Sequence, residues 1–183
     1  MSMTAALIVI DVQEGFADSV WGRRNNPAFE ANLALLLDAW TGPVVVVRHD
    51  SASQGSPLQV GQPGNDLVPA VAAIEPALLV SKSVNSAFYG EPDLQAWLTG
   101  AGVSDLVICG IQTNMCVETT ARMAGNLGYD VTVAIDATHT FDLTGSDGTV
   151  LTADELSRAT AVNLSGGGFA RVETTAEVLE RIR

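Results

Sequence analysis

The stretch VICGIQTNMCVETTARMAGNLGYDV, residues Val107 to Val131, contains the pattern that decides the fold. It opens with a continuous apolar run, which is typical of a strand buried on both faces of a parallel sheet. Residues 113–127 have helical character and are followed by Gly128, a common helix terminator, and a second apolar run begins at Val131. The stretch therefore predicts a strand, a helix and a second strand, with Cys116 near the start of the helix.

Similar strand and helix patterns alternate along the whole chain. The predicted strands cover residues 6–12, 44–47, 77–80, 106–111, 131–135 and 169–172, and the predicted helices cover residues 27–40, 94–98, 113–127, 152–164 and 175–183. This alternation predicts an α/β fold with three layers, α/β/α, around a six-stranded parallel sheet. The expected strand order is 3-2-1-4-5-6. No linker-like segment divides the sequence, so residues 1–183 are expected to form a single domain.

The composition excludes several classes of partner. The chain has 183 residues and a net charge of -12, and its nine basic residues form no cluster, so neither a nucleic acid nor an anionic membrane is an expected partner. The first apolar run ends at Asp11 and lacks the basic segment of a signal peptide. Two cysteines, Cys109 and Cys116, make no disulfide framework. We expect a cytoplasmic, reduced protein that acts on a small molecule.

A thiol, a carboxylate and an amine follow three of the predicted strands. In open parallel sheets, ligands bind at the carboxyl ends of the strands, where Cys116, Asp11 and Lys82 are expected to lie. A thiol at a helix start beside an ammonium group is expected to have its pKa lowered from about 8.5 toward neutrality. Asp11 could then accept the thiol proton and return it to a leaving group. The other polar residues at this edge are Arg48, His49, Asp50, Asp136 and His139.

Three motifs together resemble the isochorismatase-like cysteine hydrolases, which include nicotinamidases and N-carbamoylsarcosine amidohydrolases. They are IDVQEGF from Ile10, KSVNSAF from Lys82 and CGIQTNMCVETTARMAGNLGYDV from Cys109. The resemblance spans nearly the whole chain in the family's order. It implies a six-stranded parallel sheet and a catalytic triad of Asp11, Lys82 and Cys116.

The same resemblance implies further features of the site. It implies a cis peptide bond between Ile111 and Gln112, which would direct the backbone amides of Gln112 and Cys116 toward an oxyanion. Phe16 and Phe88 match positions that line the family's substrate pocket. The expected activity is hydrolysis of a small amide or carbamoyl C–N bond through a thioester, with no cofactor. The expected assembly is a homo-oligomer, either a dimer or a tetramer.

A metal is not expected. The metal-binding nicotinamidases resemble this chain after the second strand but carry an Asp and several His there. This sequence has RHDSASQGS from Arg48 and thus a single imidazole, that of His49, which rarely makes a metal site alone.

Two alternatives stay open at this point. In an isochorismate-type hydrolase, Asp11 would be the general acid and Cys116 would take no part. In a catalytically silent binding or redox-sensing relative, Cys116 would be only an exposed thiol. Lys82 also presents a geometric difficulty, since the third strand lies two places from the first, about 10 Å away at the usual strand spacing. The sequence does not identify the substrate.

Overall fold

The computed structural model describes residues 4–182, and a parallel sheet of six strands forms its centre. The order is β3-β2-β1-β4-β5-β8, and every neighbouring pair is parallel, which confirms the predicted fold and strand order. The sheet strands are β1 (Thr4–Ile10), β2 (Val44–His49), β3 (Leu78–Lys82), β4 (Val103–Ile111), β5 (Asp130–His139) and β8 (Arg171–Glu173). A small antiparallel hairpin, not predicted from the sequence, pairs β6 (Leu143–Thr144) with β7 (Val150–Leu151).

Helices cover both faces of the sheet and give the three layers. They are α1 (Phe29–Ala39), α2 (Pro69–Ala72), α3 (Leu94–Gly100), α4 (Glu118–Asn126), α5 (Ala153–Gly166) and α6 (Thr175–Arg181). One core cluster packs α1, α2 and α6 against the sheet, and the other packs α3, α4 and α5 against the opposite face. None of the helices within residues 4–182 is long and apolar enough to cross a bilayer.

Strand β1 shows why the apolar runs in this sequence are continuous. Its side chains alternate between the two clusters, with Leu7 and Val9 on the α1 side and Ile8 and Ile10 on the α4 side. All four are fully buried. A central strand with helices on both faces therefore has no position for a polar residue until it ends.

The strand ends differ from the predicted ones by a few residues. β1 ends at Ile10, because Asp11 adopts a left-handed backbone conformation (φ +51°) that a continuing strand does not permit. β2 and β3 each run two residues beyond their predicted ends, so that His49 and Lys82 are paired in register. β5 continues to His139, which therefore belongs to a strand and not to the loop that the sequence suggested.

Gly110 allows β4 to approach β1 closely beside these strand ends. Its φ is +120°, and a Cβ atom at this position would lie 2.0 Å from the backbone oxygen of Ile10. No residue with a side chain fits there without displacing β1. The glycine thus permits the close approach of the two central strands directly beneath Asp11.

The predicted helix over residues 113–127 has two parts. Residues Thr113–Val117 form a π-helical turn, and the α-helix α4 begins only at Glu118. Cys116 therefore lies in the wide turn that precedes α4, not in its first α-helical turn. Such π turns are rare and often occur at functional sites.

Candidate active site

Asp11, Lys82 and Cys116 meet at the carboxyl edge of the sheet. Lys82 Nζ donates to Asp11 Oδ2 at 2.6 Å and to Cys116 Sγ at 3.4 Å. The three residues come from the ends of β1 and β3 and from the turn after β4, so only the assembled sheet brings them together. The side chain of Lys82 spans the width of β2 to reach Asp11, which removes the geometric difficulty raised by the strand order.

His49 is a fourth member of this group. Its Nδ1 lies 3.1 Å from Lys82 Nζ, so the ammonium group has an oxygen, a nitrogen and a sulfur as partners. The side chain of Gln13 holds the backbone of His49 in place, since its Oε1 accepts from His49 N and its Nε2 donates to His49 O. His49 thus fixes the direction of the Lys82 ammonium group from the β2 side.

The group is almost completely removed from solvent. The side chains of Asp11 and Lys82 are 1% and 0% exposed, and Cys116 is 7% exposed. Burial raises the pKa of Asp11 above its usual value, and the charge of Lys82 opposes this shift. Asp11 Oδ1 is buried and has no hydrogen-bond partner among residues 4–182, so it is free to accept a proton or a hydrogen bond.

The thiol of Cys116 does not have the lowered pKa that the sequence suggested. Burial raises its pKa to about 12, the negative charge of Asp11 acts in the same direction, and Lys82 only partly opposes them. The sequence-based expectation was wrong because it took account of the lysine and the helix end but not of desolvation. In the free protein at neutral pH the thiol is therefore protonated, and a thiolate forms only when its proton is transferred.

Comparison with known proteins places the chain in a family. The sequence model of the isochorismatase domain matches residues 5–164. The chain is 32% identical to the isochorismatase family protein YrdC of Bacillus subtilis over 98% of this chain and 96% of that protein. The chain belongs to the isochorismatase family.

Other known proteins are similar to this chain over most of their length. Nicotinamidase 3 of Arabidopsis thaliana is 30% identical, over 91% of this chain and 83% of that protein. A solved isochorismatase-family structure from Chromobacterium violaceum is 38% identical with a TM-score of 0.90, covering 98% of this chain and 94% of that one. A cysteine hydrolase from Pseudomonas syringae pv. phaseolicola is 26% identical with a TM-score of 0.85, covering 98% and 92%.

The peptide bond between Ile111 and Gln112 is cis. It joins the end of β4 to the π-helical turn that carries Cys116. The carbonyl oxygen of Gln112 accepts hydrogen bonds from Met115 N and Val117 N, which close this turn around the cysteine. Gln112 and Cys116, the predicted oxyanion residues, therefore belong to one tight backbone unit.

The two predicted pocket residues lie on opposite sides of the sheet. Phe88 packs against the cluster that contains Cys116, and its ring stacks on Tyr129. Phe16 belongs to the cluster on the α1 side, where its ring centroid lies 5.0 Å from that of Trp21. Their role in substrate binding stays a prediction, and only Phe88 shares a core cluster with the thiol.

Lys82 stands where a metal ion would have to bind. Asp11, His49 and Cys116 each offer one donor atom, and these atoms lie within 4.8 Å of one another. Lys82 Nζ contacts all three, so a cation at this position would have to displace the ammonium group. The sequence analysis found no further metal ligand beside His49, because Asp11 and Cys116 are far from it in the chain.

Sequence reasoning missed two residues of this isochorismatase-family site. His49 was predicted to lie at this edge but was given no role in the catalytic group, and the only available signal was its position at the end of β2. Asn85 lies in the KSVNSAF motif and its Oδ1 is 3.7 Å from Cys116 Sγ, yet an asparagine in a polar loop has no distinctive pattern. Asp136 instead has a structural role, because its Oδ1 accepts from both Thr175 N and Thr175 Oγ1 at the start of α6.

Replacing Lys82 by Met should destabilise the protein strongly, because it leaves Asp11 buried without an opposite charge. Removing one partner of a buried ion pair typically costs about 3–5 kcal/mol. We expect Lys82→Met to lower the free energy of unfolding by about 3 kcal/mol at neutral pH, and the double variant Asp11→Asn/Lys82→Met to recover part of this loss. Urea unfolding of the parent and these two variants measures both effects.

A partly exposed ion pair is the control for this experiment. Arg48 is 33% exposed and pairs with Asp50 at 2.8 Å, so Arg48→Met should cost about 1 kcal/mol or less. If the double variant is less stable than Lys82→Met, the instability does not come from the unpaired carboxylate and our account of the pair is wrong.

The two histidines should make the protein less stable in acid. Burial lowers the pKa of His49 and of His139 to about 4, with the charges of Lys82 and Arg24 respectively acting in the same direction. In the unfolded chain each binds its proton near pH 6.5. Their stabilising contribution is therefore complete above pH 6.5 and is lost as the pH falls toward 4. The loss is about 1.4 kcal/mol per pH unit for the fully buried His139 and smaller for His49, whose partly exposed ring is screened by solvent.

His139→Phe tests this pH dependence, because it removes the titrating imidazole and leaves an aromatic ring in its place. Between about pH 7.5 and pH 5, the variant should lose about 2 kcal/mol less unfolding free energy than the parent. Urea unfolding at the two pH values measures the difference. Equal losses in the two proteins would show that His139 takes up its proton in the folded state and would contradict the lowered pKa.

Proposed function

We propose that this isochorismatase-family protein is a cysteine-dependent hydrolase of a small amide or carbamoyl C–N bond. The observation that carries the proposal is the contact of Lys82 Nζ with both Asp11 Oδ2 and Cys116 Sγ, at 2.6 and 3.4 Å. It places a nucleophile, a base and a cation within one buried group. The similarity of the chain to Nicotinamidase 3 and to a cysteine hydrolase supports the same reaction class.

Proton transfer from Cys116 to Asp11 begins the proposed reaction. Because the thiol is protonated in the free protein, Asp11 takes its proton as sulfur attacks the carbonyl carbon. Burial raises the pKa of Asp11, which makes it a stronger base than an exposed carboxylate. Lys82 offsets the negative charge that moves from the carboxylate to the sulfur.

The tetrahedral intermediate carries its negative charge on the former carbonyl oxygen. The backbone amides of Gln112 and Cys116 donate to this oxyanion. Asp11, now protonated, delivers its proton to the leaving nitrogen, so that ammonia or an amine departs and a thioester remains on Cys116. Asp11 then removes a proton from water, and the resulting hydroxide attacks the thioester. The sulfur leaves as a thiolate and takes this proton back from Asp11, which restores the thiol. One amide and one water thus yield one carboxylic acid and one amine.

Trapping of the thioester tests the proposal directly. The protein is incubated with a panel of small primary amides and carbamoyl compounds, quenched in acid and examined by intact and peptide mass spectrometry, while released ammonia is assayed. We expect an acyl adduct on Cys116 and none on Cys109 for each amide that releases ammonia. Ammonia release without an adduct on Cys116 in any quenched sample, or release that persists in Cys116→Ala, would favour the thiol-independent alternative.

A further inference from the structure

Asn85 is the solvent-exposed neighbour of the Cys116 thiol. Its Oδ1 lies 3.7 Å from Cys116 Sγ, within the distance of a weak hydrogen bond to sulfur. Lys82 contacts the same sulfur, but its side chain is 0% exposed and that of Asp11 is 1% exposed. The Asn85 residue, by contrast, is exposed. A substrate that comes from solvent therefore approaches the sulfur on the side of Asn85, because the two charged groups are buried.

The loop that carries Asn85 is fixed at both ends. It begins after Lys82, the last residue of β3, whose side chain is held within the catalytic group. It ends at Ser86, which is 3% exposed and caps a short 3₁₀ turn, and at Ala87, whose backbone N donates to Thr120 Oγ1 of α4 at 3.1 Å. Because α4 follows directly from the π-helical turn, these contacts fix the position of Asn85 relative to the thiol.

The carboxamide of Asn85 is otherwise unengaged. Among residues 4–182 its Nδ2 has no hydrogen-bond partner, and its Oδ1 has only the thiol of Cys116, a weak donor. When the thiol proton moves to Asp11 in the proposed reaction, this contact is lost. Asn85 thus has an accepting oxygen available beside the sulfur at the moment when the sulfur attacks the substrate.

A scissile C–N bond brings N–H groups close to this oxygen. In the tetrahedral intermediate the leaving nitrogen and Sγ are bonded to the same carbon, so a group 3.7 Å from Sγ is within reach of that nitrogen. The N–H groups need an acceptor once they have left water. The ammonium group of Lys82 and the oxyanion amides only donate, while Asp11 uses Oδ2 for Lys82 and has Oδ1 for the proton. Among the described groups that contact Sγ, Asn85 Oδ1 is therefore the acceptor that the reaction does not use.

We propose that Asn85 determines the specificity of this site: its Oδ1 accepts a hydrogen bond from an N–H of the scissile amide, which favours primary amides and carbamoyl groups over esters. This inference rests on the proposed hydrolysis at Cys116. An ester has an oxygen without a hydrogen where the amide has its N–H groups, so it cannot make this bond. A site that hydrogen-bonds an N–H group discriminates against the analogue that lacks it, because the acceptor is then left unpaired.

The probes are a primary amide that the parent hydrolyses and the methyl ester of the same acid, and formation of the common acid is followed for both. Asn85→Leu keeps the approximate size of the side chain and removes the accepting oxygen. It should lower kcat/KM for the amide about tenfold and leave that for the ester within about twofold of the parent. Asn85→Asp keeps an accepting oxygen but adds a negative charge that opposes the thiolate. It should slow both reactions and keep the amide-to-ester ratio of kcat/KM within about threefold of the parent.

Asn126→Leu is the control, since it makes the same substitution at an exposed position at the end of α4 and should change neither rate. If Asn85→Leu slows both reactions equally, or neither, Asn85 does not bind the N–H and the inference is wrong. If the ratio falls as far in Asn85→Asp as in Asn85→Leu, the group that contacts the substrate is Nδ2, which also contradicts the inference. In each of these cases the parent still hydrolyses the amide, so the proposed function stands. If the parent neither hydrolyses an amide nor forms a thioester on Cys116, the proposed function fails and this inference fails with it.

Discussion

Cys116→Ala should abolish amide hydrolysis, lowering kcat/KM by about 10⁴-fold or more. The substitution removes the atom that forms the thioester, and no other group of the described site can replace it. Lys82 would keep Asp11 and His49 as partners, so the fold of the site should be retained. The measurement is ammonia release from an amide that the parent hydrolyses, with thermal unfolding followed in parallel.

Cys109 offers a matched control within the same strand–turn unit. It is fully buried in β4 and belongs to the cluster on the α1 side, away from Cys116. Burial raises its pKa to about 12, as it does for Cys116, so the two thiols differ mainly in their neighbours. Cys109→Ala should hydrolyse the amide at a rate within about twofold of the parent's. Activity retained in Cys116→Ala would instead support a hydrolase in which Asp11 acts as the general acid and the thiol takes no part.

Asp11→Asn should make the alkylation of Cys116 faster and amide hydrolysis slower. Burial raises the pKa of the Cys116 thiol most, and the charge of Asp11 raises it further, so removing that charge lowers the pKa while burial still acts against Lys82. Alkylation of Cys116 by iodoacetamide at about pH 8 should therefore become faster. Hydrolysis should nevertheless fall by about 10²- to 10⁴-fold, because no group accepts the thiol proton or delivers it to the leaving nitrogen.

Site-resolved mass spectrometry across a pH series measures the alkylation, and ammonia release measures the turnover. Asp38→Asn is the control, since Asp38 is an exposed carboxylate on α1 and should affect neither. A parallel fall of alkylation and turnover in Asp11→Asn, with the protein still folded, would mean that Asp11 only maintains the nucleophile electrostatically. The role of Asp11 as the proton carrier would then be wrong.

The opposite effects expected of Asp11→Asn on alkylation and on hydrolysis depend on desolvation of the thiol, which the local sequence does not reveal. The motif around Cys116 indicates a helix start and a nearby lysine, both of which favour a thiolate. The structure adds almost complete burial and a carboxylate beside the sulfur, and these effects outweigh the lysine. The same residues thus support a nucleophile that is generated on substrate binding instead of one that is always ionised.

The pattern of the sequence by itself determined the fold and the edge of the sheet at which the candidate catalytic residues meet. Apolar runs alternating with helical segments are local properties of the sequence. Because the strands of a parallel sheet all point the same way, the residues that follow each strand lie at one edge. Asp11, Lys82 and Cys116 were predicted at this edge in this way, and the resemblance to the isochorismatase family implied that they form a triad. Errors of a few residues at the strand ends had little effect on this result, because the polar residues mark the edge themselves.

Only the tertiary structure decided how these residues interact, because the distances that matter join residues remote in the chain. Lys82 reaches Asp11 across β2, 71 residues away, and contacts His49 on the way. The separation of Phe16 from Phe88 depends on which face of the sheet each loop covers. The unpaired nitrogen of His139 is visible only once its neighbours are known. Hydrogen-bond satisfaction and desolvation are properties of the packed molecule, and no local pattern encodes them.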